Sequence, residues 1–402
     1  MKKSLRFLSF FMVMVALLGL VACNDPQNNE NKDEEGLKEG ETIKLGSSGP
    51  LSGSASIYGQ AVKKGIELAV EEINAAGGVK VDGKMHNFEL VDFINDEADA
   101  TKAAAALTNL MSKDVDVVIG AVTSGATEGL ISKAVQEGVP VITPTGTADK
   151  LTAGDNGDER TIRANIFRAC FYDSYQGKFM AEYAATKGIK KAYVLYNNDE
   201  DYSKGLKNAF VATAEGKGIA VTTAAYSKND KQFDAFWTPI LNGGYDCVYV
   251  PDYYENVYDI LKAGYKAGYA GVCYGGDGWD GVIQQVKEGE DASFLEKCFY
   301  TNHYFGASEN EAVKNFVQKY QNKYDGETPV SFAALAYDAV YIAKQAIEQA
   351  NSVDFDSVVE ALTNGTFTGL VTSSEGFKFK DGNPEKAATV ITFKDGKEVE
   401  AK

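Results

Sequence analysis

In VDVVIGAVTSGAT, residues 115–127, an apolar β-branched run ends in a loop of small hydroxyl residues, Thr123, Ser124 and Thr127, and a helical pattern follows from Gly125. No lysine or arginine lies in that stretch. A strand that feeds a helix through such a loop aims backbone N–H groups and the positive end of the helix dipole at an anion. Without a cation, hydroxyls and N–H groups suit a monoanionic carboxylate rather than a phosphate. VITPTGTADK repeats the arrangement, with Thr145 and Thr147 behind a second apolar run. The plain alternative is that these hydroxyls only cap helices.

Other chemistries fare worse. Only two histidines occur, His86 in a turn-like stretch and His303 just past a strand, so a Ser-His-Asp arrangement has few ways to form. GSSGPLSGSASIYG is glycine-rich but fits neither nucleotide-binding loop, and no nucleophile elbow is present. Pairs such as Asp252 with Glu255, or Asp277 with Asp280, match glycosidase carboxylates no better than chance in so acidic a chain. NNDEDYSKG lacks the glycine and distal glutamate of a calcium loop. No catalytic residue, metal site or cofactor is expected, and the chain is not expected to be an enzyme.

The elements that would position these loops alternate short β-branched runs with amphipathic helical stretches, the pattern of parallel sheets covered by helices. TIKLGS, HNFELVDF, VDVVIG and GVPVITPT read as strands. Between the first two, Val62, Ile66, Ala69, Val70 and Ile73 share a helical face that stops at Gly77. The pattern begins again after about Cys170, with KKAYVLY, IAVTTAAY, YDCVYVPD, GVCYGG and EKCFYTN as strands. Two successive α/β sets predict two similar lobes, with ligands outside the carboxyl ends of the strands. Thr328 and Pro329 read as N-cap and first position of a further helix, which places Phe332 in its first turn. The tail, ending in ATVITFKDG, returns to β character as a hairpin-like edge.

The N-terminus has its own logic. MKKSLR, a 16-residue apolar run from Phe7 to Ala22 and LVAC at 20–23 form a charged, then apolar, then small-residue pattern of an export signal, short of the roughly 20 residues of a membrane span. LVAC also resembles the bacterial lipobox, so residues 1–22 are expected to be removed, Cys23 lipidated, and 23–41 to serve as a polar tether on the outer face of the cell membrane. The net charge of −17 grows more negative once Lys2, Lys3 and Arg6 leave, which opposes nucleic acid. Cys170, Cys247, Cys273 and Cys298 lack metal-site spacing and read as buried thiols.

Taken in order, GPLSGSASIYG, INAAGGV, VIGAVTSGAT and VITPTGTADKLT resemble the leucine/isoleucine/valine-binding protein family of ABC transporter substrate-binding proteins, over the chain from Thr42 and more weakly after about position 300. The resemblance implies a type I periplasmic-binding-protein fold, two Rossmann-like α/β lobes joined by a three-crossing hinge. Crossings near Arg168, Thr301 and Val371 would divide the chain into an N-terminal lobe of 42–168 plus 302–371 and a C-terminal lobe of 169–301 plus 372–402. The implied ligand is an amino acid, its carboxylate at Ser124 and Thr147, its ammonium at the Thr145 carbonyl, Tyr253 and Asp277. Tyr202 would reach in from the second lobe, while Tyr58, Val122, Thr123 and Phe332 would surround the side chain. Trp279, beside Asp277, is expected as a pocket wall. Two departures bear on specificity: Asp277 replaces the glutamate of leucine-type binders, and Glu97 and Thr123 replace cysteines that form a disulfide in some members. Leucine, isoleucine or valine is the first expectation, with aromatic or small polar amino acids next. The implied partners are ABC permease subunits with cytoplasmic ATPases; a sensory ligand-binding protein on the same fold is the alternative.

Overall fold

A computed structural model describes residues 37–153 and 162–401. The export signal, Cys23 and most of the tether therefore lie outside the described residues. The first set of elements runs β1 (Ile43–Gly49), α1 (Ser56–Ala75), the short ribbon β2 (Val79–Val81) and β3 (Lys84–His86), β4 (Phe88–Asn95), α2 (Ala100–Met111), β5 (Val117–Ile119), α3 (Ser124–Glu137), β6 (Val141–Thr143) and β7 (Ile166–Arg168). β1 and β4 to β7 make a parallel sheet in the order β4-β1-β5-β6-β7.

The second set is α4 (Asp173–Thr186), β8 (Lys191–Asn197), α5 (Asp201–Gly216), β9 (Ala220–Tyr226), α6 (Asp234–Gly243), β10 (Cys247–Tyr249), α7 (Tyr254–Lys266), β11 (Val272–Gly275) and β12 (Cys298–Asn302). Its strands pair in parallel, and the chain's last hairpin, β15 (Thr389–Lys394) with β16 (Lys397–Glu400), adds antiparallel at the β12 edge. Asp395 and Gly396, both at positive φ, supply the tight turn of that hairpin. Between β12 and the hairpin come α8 (Glu311–Lys323), α9 (Ser331–Ala350), α10 (Phe355–Asn364) and the minimal ribbon β13 (Phe379–Lys380) with β14 (Asn383–Pro384). α9 packs on α1, β5 and β6, so these helices complete the first lobe.

Local chemistry accounts for the boundaries. Asp99 caps α2 by accepting from the Thr101 and Lys102 N–H groups. Val62, Ile66, Ala69 and Ile73 form the buried face of α1. At Gly65 a Cβ would stand 2.2 Å from the Ala333 carbonyl oxygen, so a glycine sets how closely α1 approaches α9. Cys170, Cys247, Cys273 and Cys298 are buried free thiols.

Two expectations are corrected. α9 starts at Ser331, not at Pro329, and its N-cap Val330 gives no side-chain bond. The capping acceptor comes instead from far away in sequence: Asp280 Oδ2 accepts the Ser331 N–H at 2.6 Å. The third passage between lobes also falls later than Val371. Phe379 packs on Phe167 at 5.1 Å, the Arg168 N–H donates to the Gly382 carbonyl, and only at Ala388, whose N–H donates to the Tyr175 hydroxyl, does the chain reach the second sheet. Lys386, its ammonium pushed down to about 8 by burial, ties this passage to the first by donating to Ala169 O at 2.7 Å and to Thr372 Oγ1.

Gly65→Ala should lower stability by about 1–3 kcal/mol, because the α1–α9 contact has no room for the methyl group. Gly216→Ala, at a position with open space around it, should leave stability unchanged or raise it by up to about 1 kcal/mol. Urea unfolding of both variants checks the contrast; a wild-type midpoint for Gly65→Ala would contradict the close approach.

Candidate ligand-binding site

The hydroxyl loop leaves the sheet where β5 ends, and its carbonyls, which have lost their ladder partners, are taken up by hydroxyls from flanking strands. Ser47 Oγ donates to Ile119 O at 2.5 Å, Thr143 Oγ1 to Ala121 O at 2.8 Å and Thr145 Oγ1 to Val122 O at 2.6 Å. Thr127 Oγ1 bonds back to Thr123 O at 2.8 Å. The loop is thereby fixed, and the first N–H groups of α3, which have no intrahelical partner, open toward the cleft. Ser124 Oγ accepts the Ala148 N–H at 3.2 Å, which leaves its own proton for another acceptor. Beneath lies Arg168, fully buried, its guanidinium donating to Gly146 O and Ala148 O at 3.0 Å each, so it shapes the turn that carries Thr147.

From the second lobe, Asp277 stands in the turn after β11, held by neutral donors. Its Oδ1 accepts from Gln176 Nε2 at 2.9 Å and from the Tyr202 hydroxyl at 2.8 Å, and its Oδ2 lies 3.0 Å from His303 Nε2. A carboxylate only accepts, so His303 carries its proton on Nε2; burial pushes its pKa down and keeps the ring neutral. The ring stacks on Phe171 at 3.7 Å. Gln176 is itself fixed, its Oε1 accepting from Thr301 Oγ1 at 3.0 Å and from the Asp277 N–H at 3.1 Å. Burial, with Asp149 and Asp277 nearby, pushes the neighbouring Asp173 carboxyl well above the usual range.

Val122, Thr123, Ser124, Thr145, Thr147, Tyr202, Tyr253, Asp277, Gly278 and Phe332 line one small, tightly closed cavity between the lobes. Tyr58 stands just behind this wall. Its ring stacks on Phe332 at 4.0 Å and meets Tyr253 edge-on at 5.8 Å, while its hydroxyl donates to Gly278 O and accepts the Tyr254 N–H. Trp279 departs from expectation. Its Nε1 donates to Val250 O at 2.7 Å and its ring covers Gly275, where a Cβ would have no room, so it buttresses the sheet instead of facing the cavity.

The lobes meet around this cavity in a closed arrangement. Besides Tyr58, the Lys150–Asp201 ion pair at 2.7 Å and the Asp280–Ser331 bond cross the cleft. An outer chamber adjoins the cavity at Thr123 and Tyr253 and carries Glu97, Asn197, Glu200, Lys228 and Asp252. Burial and the nearby Asp252 push the Glu200 carboxyl up to about 7. Asp252 bonds Tyr226, Asn197, Asn256 and the Tyr253 N–H, and Asp280 bonds Ser331 and Asn302, which assigns these acids to structure. Sequence reasoning gave no role to Gln176 and Asp173, and weighed His303 only as a catalytic base. All three reach the site through folding alone, and no local motif marks them.

A sequence profile described as periplasmic binding protein matches residues 42–398. A Leu/Ile/Val-binding protein homolog of Brucella melitensis is 31% identical over 83% of this chain and 87% of its own length. A leucine-, isoleucine-, valine-, threonine- and alanine-binding protein of Pseudomonas aeruginosa is 28% identical over 81% of this chain and 83% of its own. Among solved structures, the branched-chain amino acid transporter substrate-binding protein LivJ of Streptococcus pneumoniae, in complex with isoleucine, superposes with a TM-score of 0.78 at 32% identity, covering 90% of this chain and 100% of that one. The leucine-binding protein LivK of Thermotoga maritima does so with a TM-score of 0.80 at 27% identity, covering 90% and 98%. The chain belongs to the periplasmic binding protein family, with the Leu/Ile/Val-binding proteins and their type I fold.

Proposed function

We propose that this protein captures an α-amino acid of the branched-chain class between its lobes and delivers it to an ABC importer. One observation carries the reading: a single closed cavity has hydroxyls and a helix N-terminus on one lobe and, on the other, a buried carboxylate held only by neutral donors. The first suits a ligand carboxylate, the second a ligand ammonium. Ser124 and Thr147 take the carboxylate; the Thr145 carbonyl, Tyr202, Tyr253 and Asp277 surround the ammonium; Val122, Thr123 and Phe332, backed by Tyr58, receive the side chain. Relatives named for leucine, isoleucine and valine support that ligand class.

Hydrogen bonds to charged groups are worth roughly 1.5–3 kcal/mol each. Three or four of them, offset by desolvation and ordering, give an affinity on the order of micromolar, about −8 kcal/mol. Contacts from both lobes exist together only in the closed form, so the ligand shifts the population toward closure. LVAC with Cys23 supports lipid anchoring outside the cell membrane, and permease subunits with cytoplasmic ATPases are the partners of such a protein.

Ser124→Ala should weaken binding of L-valine or L-leucine about tenfold in isothermal titration, equivalent to roughly 1.4 kcal/mol; unchanged affinity would contradict the carboxylate assignment. A pH dependence follows from Glu200, which Asp199, Asp201, Asp252 and Lys228 face. Its carboxyl sits near 7 in the closed form, and opening the cleft returns it to water and lowers it toward the ordinary carboxylate range. Closure therefore takes up a proton, and affinity should fall as pH rises from about 5 to 7 and then level off. Glu200→Gln should flatten that slope; a slope as steep as in the wild type would assign it to another group.

A further inference from the structure

Thr123 occupies the N-cap position of α3, where a threonine hydroxyl ordinarily accepts from the helix's first N–H groups. Here it makes no capping bond. The residue is 4% exposed, and its Oγ1 has no hydrogen-bond partner among the described residues. The Tyr253 hydroxyl, on the other lobe, is likewise buried and unpartnered. Both side chains line the cavity, together with the apolar Val122 and Phe332. Two uncommitted hydroxyls, one from each lobe, thus flank an otherwise apolar side-chain wall.

We infer that the ligand is a small amino acid whose side chain carries a hydroxyl beside an apolar group, with L-threonine preferred over L-valine; this rests on the amino-acid reading above. A β-branched side chain with one methyl and one hydroxyl meets every feature of that wall. Its methyl lies against Val122 and Phe332. Its hydroxyl, both donor and acceptor, serves the Thr123 hydroxyl and takes the Tyr253 proton, while the Tyr253 lone pairs stay with the ligand ammonium. Valine has the same number of heavy atoms and nearly the same shape, so size and ordering terms cancel in the comparison. What remains is that valine leaves the Thr123 hydroxyl and the Tyr253 proton unmatched, and a site with unpaired buried polar groups actively rejects the apolar isostere.

Isothermal titration of the full chain with L-threonine, L-valine and L-leucine tests this. The expected result is that L-threonine binds about tenfold more tightly than L-valine. Thr123→Val should erase most of that ratio by losing L-threonine affinity, while Thr123→Ser, which keeps the hydroxyl, should retain it. Thermal unfolding of both variants shows whether they are folded, and Tyr253→Phe gives the second arm should Thr123→Val fail to fold. L-Valine binding as tightly as or more tightly than L-threonine would overturn the inference and leave the amino-acid reading intact. No binding of any of the three would overturn both.

Discussion

The Asp277 carboxylate is buried between two lobes and satisfied by Gln176, Tyr202 and His303, none of which brings a positive charge. Burying a charge without a counter-charge is among the more expensive things a protein can do. Arg168 is spent on the Gly146 and Ala148 carbonyls beneath the opposite loop. An open cleft would return Asp277 to water; a closed one asks for a cation from outside. In the proposed reading a ligand ammonium answers that constraint, so closure depends on the ligand and the ammonium end faces the second lobe.

The fold serves this constraint by gathering the site's polar groups at the carboxyl ends of parallel strands and on the first turns of the helices beside them. Three hydroxyls from β1 and β6 or its loop, Ser47, Thr143 and Thr145, are used up in satisfying the carbonyls of the loop after β5. Ser124 is left with a proton to give, and the Thr123 hydroxyl with no partner among the described residues. Opposite, Gln176 comes from α4, Tyr202 from α5 and His303 from the strand-end beyond β12, and they converge on Asp277 from segments about 25 to 100 residues away in sequence. The same strand-end geometry gives Asp280 its second task of capping α9 from the other lobe, so closure and helix capping share one bond.

Much of this was legible beforehand, for physical reasons. Strands and helices declared themselves through period, as in the buried face of α1, and the loops after β5 and β6 through small hydroxyl residues without cations. Local rules misled where tertiary structure supplied the partner. Thr328 and Pro329 look like a helix start, yet Asp280 provides the cap two residues later. Trp279 sits beside Asp277 in sequence but turns its indole to Val250 O and away from the cavity. Gln176, Asp173 and His303 were invisible as site residues because nothing in their neighbours marks them; packing of α4 and of the strand-end beyond β12 against the turn after β11 makes Gln176 and His303 polar partners of one carboxylate, and Asp173 reaches it through Gln176. Thr123, read as a cap or as pocket lining, turns out to be a threonine at a cap position that does not cap.

Pairing between Asp277 and a ligand ammonium is tested most directly by titrating an amino acid against its counterpart without the amino group, L-valine against isovalerate, in wild type and in Asp277→Asn. In the wild type, L-valine should bind at least about tenfold more tightly, since a charge-assisted hydrogen bond of roughly 1.5–3 kcal/mol is at stake. In Asp277→Asn that preference should largely vanish. Equal binding of the two compounds by the wild type, or an undiminished preference in the variant, would contradict it.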